Sequence, residues 1–412
     1  MGASGDEVTA PARGRFTKAT VRDAEVGGRR VLVRVDFNVP LEGGEVADDM
    51  RIRAALPTIE LLRERDAALV LVSHLGRPGG PDPELSMEPV GGRLGELLGA
   101  EVEQAPEVVG ERASAMADGL PAGGVMLLEN SRFEPGETSN DPQLAAALAA
   151  LASLYVDDAF GAAHRAHATT VGVARHLPAY AGLLLEREVR ELTAVVEDPR
   201  EPLVVVLGGA KVSDKVGVID RFLEIADEIL VGGAMCFSFF RAEGRPTGDS
   251  LVEEEGVELA RKALRQAEGS RCRLVLPTDL VLADRFDKAA QRRESEGTDV
   301  PDGWMGLDIG PATAHRYAAS IAGAGTVLWN GPMGAFELDP FAAGTRSVAE
   351  AVANAPGTTV VGGGDSVAAL RQFGLDARVD WLSTGGGASL ALLEGKELPG
   401  VEALMDVGET DG

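Results

Sequence analysis

The stretch LGGAKVSDKVGVI, residues 207–219, decides the fold, because it marks the passage from a strand to a helix through a glycine turn. The apolar residues 203–207 predict a buried strand, and the two glycines that follow allow the backbone to turn tightly. Lys211 and Lys215 come next, and a helix beginning here would carry both ammonium groups on one face near its N-terminus. Free N–H groups and positive charge favour anions, so the stretch predicts a phosphate site.

The phosphate interpretation has a simpler alternative, which is a glycine-linked strand and helix whose two lysines are solvated. The chain contains no Walker A sequence of the form G-x-x-x-x-G-K-[ST] and no G-x-G-x-x-G fingerprint. The window alone therefore does not decide between a phosphate site and an ordinary connection.

Length, charge and cysteine content limit the classes of protein. The 412 residues predict two or three domains, and a 45% share of hydrophobic residues is enough to bury their cores. A formal net charge of −26 argues against nucleic acid and membrane surfaces as partners, since both select basic patches. Two cysteines without a disulfide pattern, and no apolar segment that resembles a secretory signal or a membrane span, predict a cytoplasmic protein.

The excess of acid also predicts a response to salt. The chain has 65 acidic against 39 basic residues, and carboxylates are rarely buried unpaired, so we expect the excess on the solvated surface. Repulsion among these charges weakens the compact state at low ionic strength, which indicates a halophilic source and a need for high salt. The alternative is an ordinary acidic cytoplasmic enzyme.

Two halves of the chain repeat one pattern, in which apolar runs alternate with helical segments, and this pattern favours parallel sheets. The first half has such runs at 31–39, 68–78, 125–133 and 154–165. The second half has them at 203–209, 228–235, 274–280, 326–332, 359–365 and 381–387. We predict an N-terminal domain over 16–182, a linking helix over 183–197, a C-terminal domain over 198–395 and a tail over 396–412 that returns to the N-terminal domain.

The residues at the strand ends differ in chemistry between the two halves, and ligands of open α/β sheets bind beyond the carboxyl ends of the strands. The first half offers groups suited to a small anion, namely Asp36, Asn38, His74, Arg77, Arg132 and Arg165. The second half offers glycine-rich turns suited to a polyphosphate, together with Lys215, Glu337 and Asp365. Two such faces across a cleft predict group transfer.

Sequence blocks from one end of the chain to the other occur in the order typical of the phosphoglycerate kinase family, which the chain resembles over residues 31–404. They include RVDFNVP, SHLGRP, LLENSRF, DDAFGAAHRAH, LGGAKVSDK, GWMGLDIGP, WNGPMGAFE, VVGGGDS and STGGGASLALLEGKELPGV. The resemblance implies an α/β, bilobal enzyme of two Rossmann-like domains that closes about a hinge, and we expect it to be a monomer. Such an enzyme transfers the acyl phosphate of 1,3-bisphosphoglycerate to MgADP reversibly, giving 3-phosphoglycerate and MgATP.

The resemblance also implies roles for residues of this chain. The glycerate would be held by Asp36, Asn38, Arg51, His74, Arg77, Arg132 and Arg165. The nucleotide would be held by Lys211, Lys215, Gly306, Glu337, Gly363, Gly364, Asp365 and Ser366. Arg51 and Lys215 would be catalytic, and Asp365 would bind the Mg²⁺ carried with ADP or ATP. The chain departs from the family pattern at Ala234, where a third glycine is common, at Ser366, where threonine is frequent, and in the unexplained segments 1–12 and 291–302.

Two other classes of protein fit an α/β fold of this kind. A dinucleotide-dependent oxidoreductase predicts a G-x-G-x-x-G turn with an acidic residue downstream, and neither half of the sequence supplies one. A non-catalytic nucleotide sensor predicts loss of Arg51, Lys215 or Asp365, and all three are present. Taken singly, the arginines are ordinary surface residues, His74 is a core histidine and Glu337 is a solvated loop acid.

Overall fold

The computed structural model describes residues 16–408. The segment 1–12 and the last four residues of the expected tail lie outside the described residues. No helix between residues 16 and 408 is both long and apolar enough to cross a bilayer.

The first half of the chain forms one parallel sheet with helices packed against it. The elements are β1 (Arg30–Arg34), β2 (Leu41–Glu42), β3 (Glu45–Val46), α1 (Met50–Glu64), β4 (Ala68–Val72), α2 (Glu88–Leu98), β5 (Glu103–Gln104), α3 (Glu111–Gly119), β6 (Val125–Leu127), α4 (Pro142–Ala149), β7 (Leu154–Asp157) and β8 (Ala179–Ala181). The sheet order is β5-β6-β4-β1-β7-β8, and β2 and β3 form a separate hairpin. Along β1, Val31 and Val33 face one core and Leu32 faces the other, which explains the continuous apolar run.

The second half repeats this architecture. Its elements are α5 (Leu183–Glu197), β9 (Leu203–Leu207), α6 (Val216–Ile225), β10 (Glu228–Val231), α7 (Cys236–Ala242), α8 (Glu254–Glu268), β11 (Arg273–Val275), β12 (Leu280–Ala283), β13 (Arg292–Glu294), β14 (Met305–Ile309), α9 (Pro311–Ala322), β15 (Thr326–Asn330), α10 (Ala343–Ala353), β16 (Thr358–Gly362), α11 (Gly364–Gln372), β17 (Trp381–Leu382), α12 (Gly387–Leu393) and α13 (Pro399–Glu402). The main sheet has the order β11-β10-β9-β15-β16-β17, and β13-β12-β14 form a small second sheet.

One predicted apolar run does not form a single strand. Residues 274–280 divide between β11 in the main sheet and β12 in the small sheet. The turn between them carries Asp279, whose Oδ1 accepts a hydrogen bond from the N–H of Thr313 at 2.7 Å. Its Oδ2 accepts a second from the N–H of Ala312 at 2.9 Å, so the carboxylate caps the first turn of α9. The run was predicted as one strand because this capping partner lies far along the sequence.

Helix α5 joins the two lobes, and its first half is hydrogen-bonded to both of them. At its start, the N–H of Leu184 donates to Asp158 Oδ1 at 2.8 Å, which ties the helix to the N-terminal lobe. Further along, the buried carboxylate of Glu188 accepts hydrogen bonds from the N–H of Thr384 at 2.7 Å and from Trp381 Nε1 at 3.1 Å. Burial raises the pKa of Glu188, and these donors offset part of that effect. The helix therefore connects the N-terminal lobe to the last strand of the C-terminal sheet.

The C-terminal segment crosses back to the N-terminal lobe after α12. The N–H of Ala19 donates to the carbonyl of Met405 at 2.8 Å, and the N–H of Met405 donates to the carbonyl of Ala179 at 3.0 Å. The Lys18 ammonium lies 2.9 Å from the Asp406 carboxylate. The segment thus lies along the β8 edge of the N-terminal sheet, and the chain passes between the lobes twice.

Candidate active site

Three of the predicted arginines line one cavity in the N-terminal lobe. Arg77, Arg132 and Arg165 share a cavity of about 430 Å³ with His167. Burial and the nearby cations, Arg165 foremost, lower the pKa of the Arg132 guanidinium. Burial, together with neighbouring arginines, also lowers the pKa of His167 to about 4, so that this imidazole is neutral near pH 7. Positive groups this close favour a bound anion, because guanidinium donates paired hydrogen bonds to phosphate and carboxylate.

The other predicted residues of this lobe do not line this cavity, and hydrogen bonds hold three of them in place. Arg51, in the first turn of α1, donates from Nη1 to Asp36 Oδ2 at 2.8 Å. The second oxygen of Asp36, Oδ1, is buried and has no hydrogen-bond partner within residues 16–408, so it can accept from a ligand hydroxyl. Asn38 Oδ1 accepts from the N–H of Gly76 at 2.8 Å, which holds the loop that carries Arg77.

His74 is buried beneath this group of residues, and its partner is a residue that the sequence reasoning missed. Arg34 Nη2 lies 3.0 Å from His74 Nδ1, and the Arg34 side chain is fully buried. The signal for Arg34 was present in the sequence, because a charged residue interrupts the apolar run VLVRV, residues 31–35, which begins in β1. A fully buried cation at the end of a strand is rarely retained without a partner or a function.

A larger cavity of about 670 Å³ opens in the C-terminal lobe and contains several of the residues predicted for the nucleotide. Its lining includes Gly306, Glu337 and Asp365, with Ala234 at the position where the family pattern favours glycine. A Cβ on Gly306 would lie 2.3 Å from the ring of the buried Phe237, so any larger residue would require this ring to move. The apolar walls and few polar groups suit a flat organic ligand such as a nucleobase.

The prediction that Lys211 and Lys215 share one face of a helix is wrong. Helix α6 begins at Val216, so Lys215 occupies its N-cap position and Lys211 lies in the preceding turn. The Lys215 side chain is buried, whereas Lys211 is exposed. Residues 210–215, between the glycines and α6, form a non-helical turn. The two lysines therefore lie in different environments.

Lys215 is held by a second residue that the sequence reasoning missed, Asn330. The Lys215 ammonium donates to Asn330 Oδ1 at 2.6 Å, at the carboxyl end of β15. Burial lowers the pKa of Lys215, while the carboxylates of Asp214 and Asp365 oppose that shift. The available signal was the asparagine that ends the buried strand TVLWN, at the edge of the sheet where ligands bind.

The run from Gly363 to Ser366 forms the start of helix α11. Gly363 is the N-cap with a φ of 90°, a conformation that favours glycine. Gly364 and Asp365 are exposed in the first turn. Ser366 is fully buried, and its Oγ accepts from the N–H of Gly331 at 2.6 Å. The Ser366 hydroxyl therefore holds the loop after β15 in place through a buried hydrogen bond.

The two lobes are in contact beside these sites. The Arg371 guanidinium, on α11, donates to the Asp48 carboxylate at 2.5 Å, and Asp48 precedes the N-cap residue of α1, Asp49. Arg51 Nη2 also lies 3.4 Å from the carbonyl oxygen of Thr384. The helix that carries Arg51 is thereby joined to the helix that carries Asp365. Fold and site together define a two-domain α/β enzyme with an anion pocket in one lobe and a glycine-lined cavity in the other.

Comparison with known proteins agrees with this class. The family model described as phosphoglycerate kinase matches residues 21–396. The chain is 56% identical over 390 residues to the phosphoglycerate kinase of Rubrobacter xylanophilus, covering 94% of this chain and 98% of the relative. It is 53% identical over 398 residues to that of Chloroflexus aggregans, covering 95% of this chain and 100% of the relative.

Two solved structures are similar to this one over nearly its whole length. The phosphoglycerate kinase of Coxiella burnetii superposes with a TM-score of 0.84 at 37% identity, and that of Pyrococcus horikoshii with 0.83 at 33% identity. Each comparison covers 94% of this chain and 98% of the other. The chain therefore belongs to the phosphoglycerate kinase family. Membership of this family confirms the predicted bilobal fold and the predicted kinase activity. It sets aside the oxidoreductase and sensor interpretations.

Proposed function

We propose that the N-terminal lobe holds the glycerate and the C-terminal lobe holds the magnesium nucleotide in the phosphoryl transfer that this enzyme catalyses. The reaction moves the acyl phosphate of 1,3-bisphosphoglycerate to MgADP, reversibly, and gives 3-phosphoglycerate and MgATP, a step of glycolysis and gluconeogenesis. The observation that carries the proposal is the contact between Asp48 and Arg371, because it joins the helix of Arg51 to the helix of Asp365.

On the glycerate side, the guanidinium groups of Arg77, Arg132 and Arg165 bind the phosphate and carboxylate of the substrate. Asp36 accepts a hydrogen bond from the substrate hydroxyl, which the unpartnered state of its Oδ1 supports. Asn38 holds the loop that carries Arg77, and His74 donates a hydrogen bond to the substrate.

On the nucleotide side, the base lies against Gly306 and the ribose hydroxyls donate to Glu337. The N–H groups of Gly363 and Gly364 at the start of α11 bind phosphate, as helix N-termini do. Lys211 adds positive charge from the turn, and Ser366 acts through the loop it supports.

Asp365 supplies a carboxylate to the Mg²⁺ that accompanies the nucleotide. Mg²⁺ is usually bound through one or two carboxylates together with substrate phosphates and water, so a single exposed aspartate in the first turn of α11 fits. The ion neutralises charge on the phosphates when bound. The residues of the chain position the nucleotide around it.

The catalytic residues are Arg51 and Lys215, one from each lobe. Phosphoryl transfer requires positioning and charge stabilisation more than proton transfer, so permanent cations suit it. We infer that the lobes close about the hinge formed by α5 and the segment after β17. Closure excludes water, which would otherwise accept the phosphoryl group from an acyl phosphate.

We propose further that the domains have the limits 16–182 and 198–395, joined by the helix 183–197, and that the tail 396–412 belongs to the N-terminal lobe. The backbone hydrogen bonds of Ala19 and Ala179 with Met405 support the last point. We also propose a monomer that works in the cytoplasm, where the two free and buried cysteines, Cys236 and Cys272, would stay reduced.

A coupled assay tests the proposed function. Purified protein receives 3-phosphoglycerate and MgATP, together with a dehydrogenase that reduces the acyl phosphate product with NADH. We expect NADH oxidation that requires both substrates and Mg²⁺. NADH oxidation by the chain alone would indicate an oxidoreductase, and nucleotide binding without turnover would indicate a sensor, so either result would contradict the proposal.

We predict that the enzyme needs high salt, because of its 65 acidic and 39 basic residues. Charge repulsion extends over about 30 Å at 0.01 M salt and about 3 Å at 1 M. The melting temperature and the activity should therefore rise from millimolar to molar KCl. A non-ionic osmolyte at matched osmolality is the control, since it stabilises without screening. A flat or falling salt response would rule out the halophilic interpretation.

A further inference from the structure

Arg34 is a buried cation whose hydrogen bonds go to neutral groups. Its Nε donates to Thr169 Oγ1 at 2.9 Å, its Nη1 donates to the carbonyl of Val35, and its Nη2 lies 3.0 Å from His74 Nδ1. The nearest carboxylate along this network is Glu137, which accepts from Thr169 Oγ1 at 2.6 Å and so is one residue removed. Burying a guanidinium without direct pairing is unfavourable, so its position calls for an explanation in the site above it.

The chemistry of the guanidinium determines the protonation of His74. Arginine stays protonated in proteins and carries only donors, so His74 Nδ1 has to be the acceptor of this hydrogen bond. A neutral imidazole with an accepting Nδ1 carries its proton on Nε2. No protein group within residues 16–408 engages Nε2, which leaves this N–H for a ligand.

We propose that Arg34 is a positioning residue that fixes His74 as the neutral Nε2–H tautomer, so that His74 donates to the anionic substrate in the same way across the working pH range. The inference rests on the proposed function, in which His74 belongs to the glycerate site.

The charges around His74 support a neutral ring. Its pKa is lowered well below the ordinary value, first by burial and then by Arg34, Arg132, Arg165 and Arg51. Asp36 is the opposing group, with Oδ1 4.0 Å from His74 Nδ1, beyond hydrogen-bond distance. These groups come from β1 and the segment that follows it, from α1 and from the loops after β6 and β7.

Loss of Arg34 would reverse this arrangement. With the donor absent, Asp36 is the nearest anion to Nδ1 and would favour a proton there. The Nε2 atom would then present a lone pair to an anionic ligand, or the ring would become protonated as the pH falls. Substrate affinity would become pH-dependent, whereas the native arrangement keeps it constant.

The first test uses the unaltered protein, so it does not depend on activity. Nitrogen-15 NMR of histidine-labelled enzyme observes all 5 histidines, and the His74→Gln variant assigns the signal of His74. We expect a pyridine-like Nδ1 and a pyrrole-like Nε2 that do not titrate between about pH 5.5 and 8. A protonated Nδ1, or a ring that titrates in this range, would overturn the proposal.

The second test compares Arg34→Met, which keeps bulk without a donor, with Arg34→Lys, which keeps charge and a donor. Loss of a charge-assisted hydrogen bond predicts about 10- to 100-fold weaker 3-phosphoglycerate binding in Arg34→Met at pH 8. Binding should tighten as the pH falls towards 6, with partial rescue by Arg34→Lys and unchanged MgATP affinity. Unchanged, pH-independent binding by Arg34→Met would contradict the proposal.

The two tests separate this inference from the proposed function. If the unaltered enzyme does not bind 3-phosphoglycerate by calorimetry, the assignment of the glycerate site fails, while the NMR result still reports the tautomer. If Arg34→Met does not fold, the NMR spectrum of the unaltered protein decides the proposal alone.

Discussion

Lys215→Ala is expected to lower the turnover number by about 10²- to 10³-fold while 3-phosphoglycerate binding stays nearly intact. The Lys215 ammonium is buried and donates to Asn330 Oδ1 at 2.6 Å, so it is oriented before the nucleotide arrives. An interaction made mainly in the transition state affects turnover more than substrate affinity. Steady-state kinetics, with calorimetric titration of 3-phosphoglycerate, measures both quantities.

Two further variants make the result specific to the ammonium group. Lys215→Met keeps most of the side chain and should be as inactive as the alanine variant. Lys262→Ala removes an exposed lysine of the same lobe, which pairs with Asp220 at 2.8 Å, and should retain full turnover. Unchanged turnover in Lys215→Ala would remove this residue from the catalytic assignment.

The second large effect is expected from the opposite lobe, where Arg51→Ala should lower turnover by about 10³-fold or more. Arg51 sits in the first turn of α1, where a cation opposes the helix dipole, and it is held there by Asp36 Oδ2 at 2.8 Å. Arg51 therefore occupies an electrostatically unfavourable position for a cation. A role in stabilising the transferred phosphoryl group would explain this placement. Turnover and MgATP affinity should be measured together, because only turnover should change.

Arg53→Ala is the matched control for Arg51→Ala. Arg53 lies on the same helix, pairs with Asp49 at 2.8 Å and is largely exposed, so its loss should leave turnover unchanged. Small-angle scattering of the unaltered enzyme should show compaction only when both substrates are bound. An active Arg51→Ala variant would contradict the assignment of this arginine, and an unchanged radius with both ligands would contradict hinge closure.

Much of the fold follows from local pattern. The apolar runs of the two halves predict strands because parallel strands are buried on both faces, as the two cores on either side of β1 illustrate. The chemistry at strand ends predicts a shared anion site, and Arg77, Arg132 and Arg165 line one cavity, whereas Asp36, Asn38 and His74 do not line it. Their roles remain predictions.

The features that the sequence did not predict depend on contacts between residues that are distant in sequence. Asn330 lies 115 residues from Lys215, and Arg34 lies 40 residues from His74, so no window of sequence joins either pair. The start of α6 was misplaced for a different reason. The turn before it is stabilised by Glu253, which accepts from the N–H of Ser213 at 3.0 Å, and this contact also comes from a remote segment.

The return of the C-terminal segment to the N-terminal lobe has a consequence for biosynthesis. The ribosome completes the N-terminal half first, and domains made early generally fold first. Here the β8 edge of the first lobe receives Met405, and the N–H of Val407 donates to the carbonyl of Thr17 at 2.9 Å. Met405 and Val407 follow every helix and strand of the second lobe in the sequence. The first lobe therefore gains these backbone hydrogen bonds only after the second lobe has been synthesised, and its sheet edge is completed later than the rest of its core.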